Sequence, residues 1–334
     1  LSNLNNNSFL INQFKKNNIK IYDNYHDLNK IFKKKLNYTI NAISGLDGLL
    51  PTLKIIKHTK KIAIANKESI ICGWNLINNK LKKYRTRFIP VDSEHFSINE
   101  LIKDNVFSRV KNVIITASGG PFLKKKITKN IKIKEALNHP NWSMGKKITI
   151  DSSTLMNKVF EVIEAKKIFN LNIKNIKILI NPNSYVHSII IFNNGIIKFL
   201  AHEPKMEIPI FNSIYDKSNE RFDGSNKIDL NKINKLNLSS PDIKKFKLLK
   251  ILKLVPEKHS FFETILVSIN DELVSMFLNK KIKYDKIAHY LIKIINSKKL
   301  KKYYKKTPIS LKQIYNIRNL TKNFVKESLK NKNV

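Results

Sequence analysis

The sequence predicts an α/β protein whose last third is helical. Strand-like and helix-like stretches alternate through the first two thirds, the order that builds a parallel sheet with covering helices. From Ile243 onward apolar residues recur at intervals of three and four, as in a small helical bundle. The chain has 334 residues, 42% of them hydrophobic, enough for a sizeable core.

In chain order, FLINQFKKNNIKIY reads as a helix feeding a strand, and LNYTINAISG as a strand entering a glycine turn. LDGLLPTLKIIKHTK has the spacing of an amphipathic helix. KIAIAN carries no charge after Lys61, as a buried strand should. NVIITASGG is a strand ending in a glycine pair, and DSSTLMNKVFEVIEAKKIF is one helix with Asp151, Ser152 and Ser153 as candidate N-caps. IKNIKILINP and YVHSIIIFNNGIIKFLA are strands, the latter broken by an Asn-Asn-Gly hairpin turn. From Ser218 to Asp242 the text is polar and rich in turn residues, a linker with at most short strands. The remainder is helical. The expected division is 1–91, 92–217, a linker over 218–242, and 243–334.

Composition narrows the function. No apolar run approaches the ~20 residues that cross a bilayer, and no secretory signal opens the chain. The lone cysteine, Cys72, excludes an internal disulfide framework and a cysteine zinc site. The net charge of +38 favours anionic ligands, including phosphate esters. Nucleic acid is not the expected partner. The lysines are spread along the chain with abundant Asn and Ile, and Arg, the usual reader of base edges, is sparse.

Four short stretches carry candidate chemistry. In IPVDSEH, Asp92 and Glu94 lie two apart at the end of an apolar strand, so both point the same way. Side by side they suit a hard divalent cation, or else form a solvated acidic strand end. In the helix after HPNWSMG, Asn157, Glu161 and Glu164 share a stripe with Lys158 beside it, opposite a core face of Leu155, Val159, Ile163 and Ala165. Its start offers donors for a phosphate, with Ser152, Asn157 and Lys158 adding more, and Glu161 a third carboxylate; the alternative is an ordinary solvated polar face. TASGGPF places Ser118 beside a glycine pair that forms either an anion nest or a tight turn. ANKES follows a buried strand, where α/β folds bind ligands, or simply caps a helix through Asn66. The loop from His139 with Trp142 reads as a lid over 139–147 or as an anchored surface loop. His187 reads as a core histidine.

The order ANKES, PVDSEH, TASGGPF and HPNWSMGxKIxxDSxTxMNKxxExIEA resembles the 1-deoxy-D-xylulose 5-phosphate reductoisomerase family, over nearly the whole chain. The resemblance implies an incomplete Rossmann-like N-terminal domain, an α/β catalytic domain and a C-terminal helical bundle. It implies an oxidoreductase of isoprenoid precursor biosynthesis that uses NADPH and Mg²⁺ or Mn²⁺, with Co²⁺ as a further option. Asp92, Glu94 and Glu161 would hold the metal. Lys67, Glu94 and His139 would be catalytic. Ser93, Ser118, Trp142, Ser152, Asn157, Lys158 and Glu161 would join them in binding the sugar phosphate. Asn5, Asn6, Asn66, Glu68, Gly145 and Met206 would contact NADPH. A homodimer, with no membrane and no nucleic acid, is implied, in a bacterial cytoplasm of the endosymbiont kind or a plastid stroma.

The departures from the pattern are specific. The family's first strand and its GxTGSIG turn have no counterpart before LSNLNNNS, which predicts weakened NADPH binding. A paralogue that keeps metal and sugar phosphate without reductase activity is the alternative this raises. Phe96-Ser97 replaces Asn-Ala, NPNS replaces HPQS, and His202 and Lys205 replace Gly and Asp around Glu203-Pro204. VSIND, Val267 to Asp271, replaces NAANE.

Overall fold

Residues 8–21, 28–103, 109–215, 220–222, 224, 230–234 and 236–330 are described by a computed structural model. Asn5 and Asn6 lie outside them.

The first third is built as its alternating pattern predicts. Helices α1 (Ser8–Lys16) and α2 (Leu28–Ile31) precede strand β1 (Thr39–Asn41), helix α3 (Leu49–Ile55), strand β2 (Lys61–Ile64), helix α4 (Lys67–Tyr84) and strand β3 (Arg87–Pro90). The three strands pair in parallel in the order β1-β2-β3. One expectation fails here: Ile19 to Ile21, read as the start of a strand, belong to no strand.

Helix α5 (Ser93–Ile102) follows β3 directly. This corrects the strand-end reading of Asp92 and Glu94. Asp92 is the N-cap of α5, its carboxylate accepting from the Glu94 backbone N–H at 3.4 Å. The two acids are neighbours because a cap and the second residue of a helix share one end, not because a strand alternates.

The second sheet contains β4 (Val110–Ala117), β5 (Ile176–Ile180), β6 (Val186–Phe192) and β7 (Ile197–Ala201) in the order β5-β4-β6-β7. β4 and β5 are parallel; β4–β6 and β6–β7 are antiparallel. The predicted hairpin joins β6 to β7, with Gly195 at φ 84°.

Between β4 and β5 the chain forms α6 (Ile133–Ala136), α7 (Lys146–Ser153) and α8 (Met156–Ile168). The single helix expected from Asp151 onward is therefore two. Leu155 breaks it at φ 58°, a left-handed value rare for a residue with a branched side chain. Asp151, Ser152 and Ser153 end α7 rather than capping α8, and the loop expected over 139–147 ends at 145, where α7 begins. The break is held from both sides. The Thr154 hydroxyl donates to the Ile150 carbonyl, and the buried Leu155 side chain fills the main core.

Helix α9 (Glu207–Ile214) and a short α10 (Leu230–Asn234) come next. α10 lies in the segment read as a linker with at most short strands, so that segment is partly helical. The predicted helix over KFKLLKILKLV is a tighter 3₁₀ turn, Lys247–Leu254. Then α11 (Phe261–Leu278), α12 (Tyr284–Ile295), α13 (Lys298–Lys301) and α14 (Leu311–Lys330) complete the helical third. Ser260 and Glu263 form a reciprocal capping box at the start of α11. No helix among the described residues is long and apolar enough to cross a membrane.

Helix α8 sits at the centre. Its Val159, Phe160 and Ile163 join the main core with α4 and α11, and its Val162 and Ala165 pack under the second sheet. Each fully buried side chain of this size contributes roughly 1.5–3 kcal/mol, which fixes α8 against both sheets and the bundle. Its polar stripe is consequently buried too: Lys158, Glu161 and Glu164 are all inside. A solvated face is excluded, and each of those charges needs a partner.

Candidate active site

The partners come from the starts of α4 and α5. Asn66 caps α4, accepting from the Ser69 N–H at 2.7 Å while its amide nitrogen reaches the carbonyls of Ile43 and Gly45. The first residue of α4, Lys67, is thereby aimed at α8. Its ammonium lies 2.7 Å from Asn157 Oδ1, 3.2 Å from Glu161 Oε1 and 3.1 Å from Asp92 Oδ2. Lys158 donates to Glu94 at 2.6 Å and pairs with Glu161. Ser93 donates to the second Glu94 oxygen. Asp92, Glu94 and Glu161 each offer an oxygen within 4.8 Å of the others.

The charges do not balance. Glu94 is pushed up to about 7 by burial and by the neighbouring Glu161 carboxylate, despite Lys158. For Asp92 burial opposes ionisation, but Lys67 and His95 overcome it and hold the group well below its usual range. A buried acid with so high a value is a site short of positive charge, and three oxygens at this spacing fit a hard divalent ion. A second group, Asp92, His95 and Glu164, also lies close together. There burial disfavours the imidazolium, yet Glu164 and Asp92 raise His95 to about 9. In this structure His95 acts as the partner of those carboxylates, 3.3 Å from Asp92 and 3.5 Å from Glu164.

Beside the three carboxylates opens a cavity of about 200 Å³. Lys67, Asp92, Ser93, Glu94, Ser118, His139, Trp142, Ser152, Asn157, Lys158, Glu161 and Met206, all singled out from the sequence, line it. Asn66, Glu68 and Gly145 do not. The Asn66 side chain is held by backbone, Glu68 pairs with Lys147, and Gly145 is exposed at the start of α7.

The opposite wall is the TASGGPF turn and the loop from His139. Gly119 and Gly120 have φ of 81° and 63°, so the turn reading holds. A Cβ on Gly120 would stand 3.0 Å from the Ser152 carbonyl oxygen and 3.1 Å from the Ser153 Cα, so the glycine allows the turn to seat against α7. The Gly120 N–H donates to Ser118 Oγ at 3.0 Å. The backbone N–H groups of Asn141 and Trp142 donate to His139 Nδ1 at 3.2 and 3.0 Å. That nitrogen is therefore an acceptor, the proton sits on Nε2, and Nε2 donates to Ser118 at 3.1 Å. Burial pushes His139 down to about 4, so the ring is neutral. Asn141 ties the loop to the Pro182 carbonyl and the Ser184 hydroxyl, and Trp142 meets the His187 ring edge-on.

Sequence reasoning missed Met144, Ile148, Ser184 and His187, which also line the cavity. His187 is buried, as expected of a core histidine, but it faces the site and stacks on His202 with ring centroids 3.8 Å apart. Met144 was legible only as a member of the loop from His139, and Ile148 as an apolar position of α7. Nothing local marks His187.

Three family models match the chain: the 1-deoxy-D-xylulose 5-phosphate reductoisomerase model over residues 3–73, its C-terminal domain over 88–169, and a DXP reductoisomerase C-terminal domain over 202–324. A 1-deoxy-D-xylulose 5-phosphate reductoisomerase of Pelagibacter ubique is 55% identical over 317 residues, covering 93% of this chain and 81% of its own. The chain belongs to the 1-deoxy-D-xylulose 5-phosphate reductoisomerase family. The reductoisomerase of a Sulfurihydrogenibium species is 39% identical, with 83% and 73% covered. Among solved reductoisomerases, one in complex with NADPH, fosmidomycin and magnesium superposes with a TM-score of 0.82 at 28% identity, covering 98% of this chain and 85% of that one. The Zymomonas mobilis enzyme in complex with NADPH gives 0.77 at 30% identity, with 86% and 74% covered. The α/β fold, with a parallel N-terminal sheet, a mixed second sheet and a helical third, is the reductoisomerase fold.

Proposed function

We infer that the chain converts 1-deoxy-D-xylulose 5-phosphate to 2-C-methyl-D-erythritol 4-phosphate with NADPH and a divalent metal. The observation that carries this reading is the meeting of Asp92, Glu94 and Glu161 with Lys67 at one end of a small cavity, and of Ser118, Ser152, Asn157 and Lys158 around it. Asp92, Glu94 and Glu161 would hold Mg²⁺ or Mn²⁺. When bound, the ion supplies Lewis acidity toward the substrate's carbonyl and hydroxyl oxygens, and NADPH supplies the hydride.

The chain's own groups have the remaining tasks. Lys67 places a fixed ammonium where negative charge develops on the substrate oxygens. Lys158, Asn157, Ser152 and Ser118 present donors to the phosphate, a remote handle whose binding orients the reacting end. His139, neutral with its proton on Nε2, has a donor to exchange from Ser118 to substrate. Trp142 and the loop it belongs to would exclude water. Met206 would pack near the nicotinamide, with Glu68, Asn66 and Gly145 on the cofactor side. We place the functional divisions at 1–91, 92–217 and 243–334, and the protein in the bacterial cytoplasm with its relatives. A homodimer is proposed through β7, an edge strand that exposes Ile197 and Phe199.

The test is NADPH consumption by the purified protein. It is expected to require both the sugar phosphate and Mg²⁺ or Mn²⁺, to stop with a chelator and to return with metal. Folded protein that never consumes NADPH under those conditions overturns the reading.

A further inference from the structure

A second charge cluster lies outside the cavity, at the root of the lid. Lys147 is the second residue of α7, directly after loop 139–145. Its ammonium is 2.5 Å from Glu68 of α4, 3.2 Å from Asp151 of its own helix and 3.1 Å from Asp271 of α11. It also lies 5.4 Å from the centre of the Phe160 ring. Asn270 donates to the other Asp151 oxygen at 2.7 Å. One ammonium thus joins three carboxylates from the N-terminal third, the lid helix and the helical third. Asp271 ends the VSIND stretch, so a carboxylate survives there in a segment that otherwise departs from NAANE.

We propose that Lys147, fixed by Asp271, is a positioning residue that sets both the Glu68 carboxylate and the root of the lid, so the helical third governs cofactor affinity. This rests on the reading of Glu68 as a cofactor contact and of loop 139–145 as a lid. The physical argument is short. Without the ammonium, the buried carboxylates of Glu68 and Asp151 and the partly exposed one of Asp271 repel one another, which favours their separating or taking up protons. Glu68 is the one at the start of α4, beside Lys67, so its displacement reaches the cofactor side first. Without the Asp271 charge, Lys147 keeps Glu68 and Asp151 but loses its tie to α11.

Two readouts on the full chain test the proposal: NADPH affinity by calorimetry, and the rate at which a protease cuts loop 139–145. Lys147→Gln is expected to weaken NADPH binding by about tenfold and Asp271→Asn by about threefold, the range for coupled neighbours. Both should speed loop cleavage. Lys147→Arg and Asp271→Glu should restore most of each, and the double variant should fall short of the product of the singles. KM for the sugar phosphate at saturating NADPH should move less than twofold. Wild-type affinity and cleavage rate in Asp271→Asn overturn the proposal, and this variant decides if Lys147→Gln does not fold. If the wild-type chain itself binds no NADPH, the cofactor reading fails; faster loop cleavage in Asp271→Asn would still uphold the lid root, and an unchanged rate would overturn it.

Discussion

Helix α8 ends in two charge clusters that look alike and behave oppositely. At its start, Lys158 and Glu161 meet Lys67, Asp92 and Glu94 beside the cavity. At its end, Lys167 meets Glu263 at 2.7 Å, and Lys166 donates to the carbonyls of Pro256 and Glu257. Both are buried. Burial opposes the charge of Glu263, yet Lys167 outweighs it and holds that carboxyl at about 2. Glu94, with burial and Glu161 against it, rises to about 7. The difference separates an internal clamp from a receptor. One acid beside Lys167 is lowered, whereas acids crowded by other carboxylates, Glu94 and also Glu164 at about 8, are raised; what sets the first cluster apart as a receptor is that its three oxygens converge beside a cavity.

Breaking the first cluster should produce the largest effect. Glu161→Gln is expected to lower kcat/KM by about 10³-fold, the scale of losing a preorganised electrostatic contact. Denaturant melts should show its stability within about 1 kcal/mol of wild type, since buried cations lose one partner but keep Asp92, Glu94 and Asn157. A fall in stability without a fall in rate would erase the distinction.

Lys167→Met should do the reverse. It leaves Glu263 in the core with only His259 and Ser260 as partners and should cost about 3 kcal/mol by the same melts, with kcat and KM close to wild type. The clamp also has a pH signature. Because Glu263 is held below its ordinary value near 4.5, its contribution is present above that pH and is lost as pH falls through about 2. Acid unfolding of Lys167→Met should lack that component.

The loop that carries His139 titrates in another window. His139 is pushed down to about 4 by burial, against an unfolded value near 6.5. The unfolded chain binds the proton first, so this contribution is complete above about 6.5 and declines as pH falls to about 4. Protection factors in loop 139–145, which remove the intrinsic pH dependence of hydrogen exchange, should fall across that range and level off below it. The smallest effect is expected at the surface. Lys299 and Glu327 pair at 4.0 Å with both side chains more than half exposed, and removing either should change stability by less than about 0.5 kcal/mol.

Much of this was legible in the sequence, for stated reasons. ANKES, VDSEH and TASGGPF each put polar residues where an apolar strand ends, the position at which α/β folds bind ligands; here two such ends from the first sheet meet one from the second. The pairing of Asp92 with Glu94 was legible, but its cause was misread. Strand alternation and a helix N-cap both bring residues two apart together, and nothing in IPVDSEH decides between them. The break at Leu155 was illegible, because a left-handed leucine is stabilised by packing rather than by its own preference. The buried polar stripe of α8 reads like a solvated one in sequence; only the starts of α4 and α5 packed over it make the difference. His187 reaches the cavity through the register of β6, which no local pattern fixes.

The seat of Gly120 against Ser152 and Ser153 has a lasting consequence. The gap between the two walls that carry Ser118 and Ser152 is gauged by main chain meeting main chain, with no side chain as spacer. Replacement after replacement toward Lys, Asn and Ile can recolour such a protein while the aperture between those two serines stays the same width.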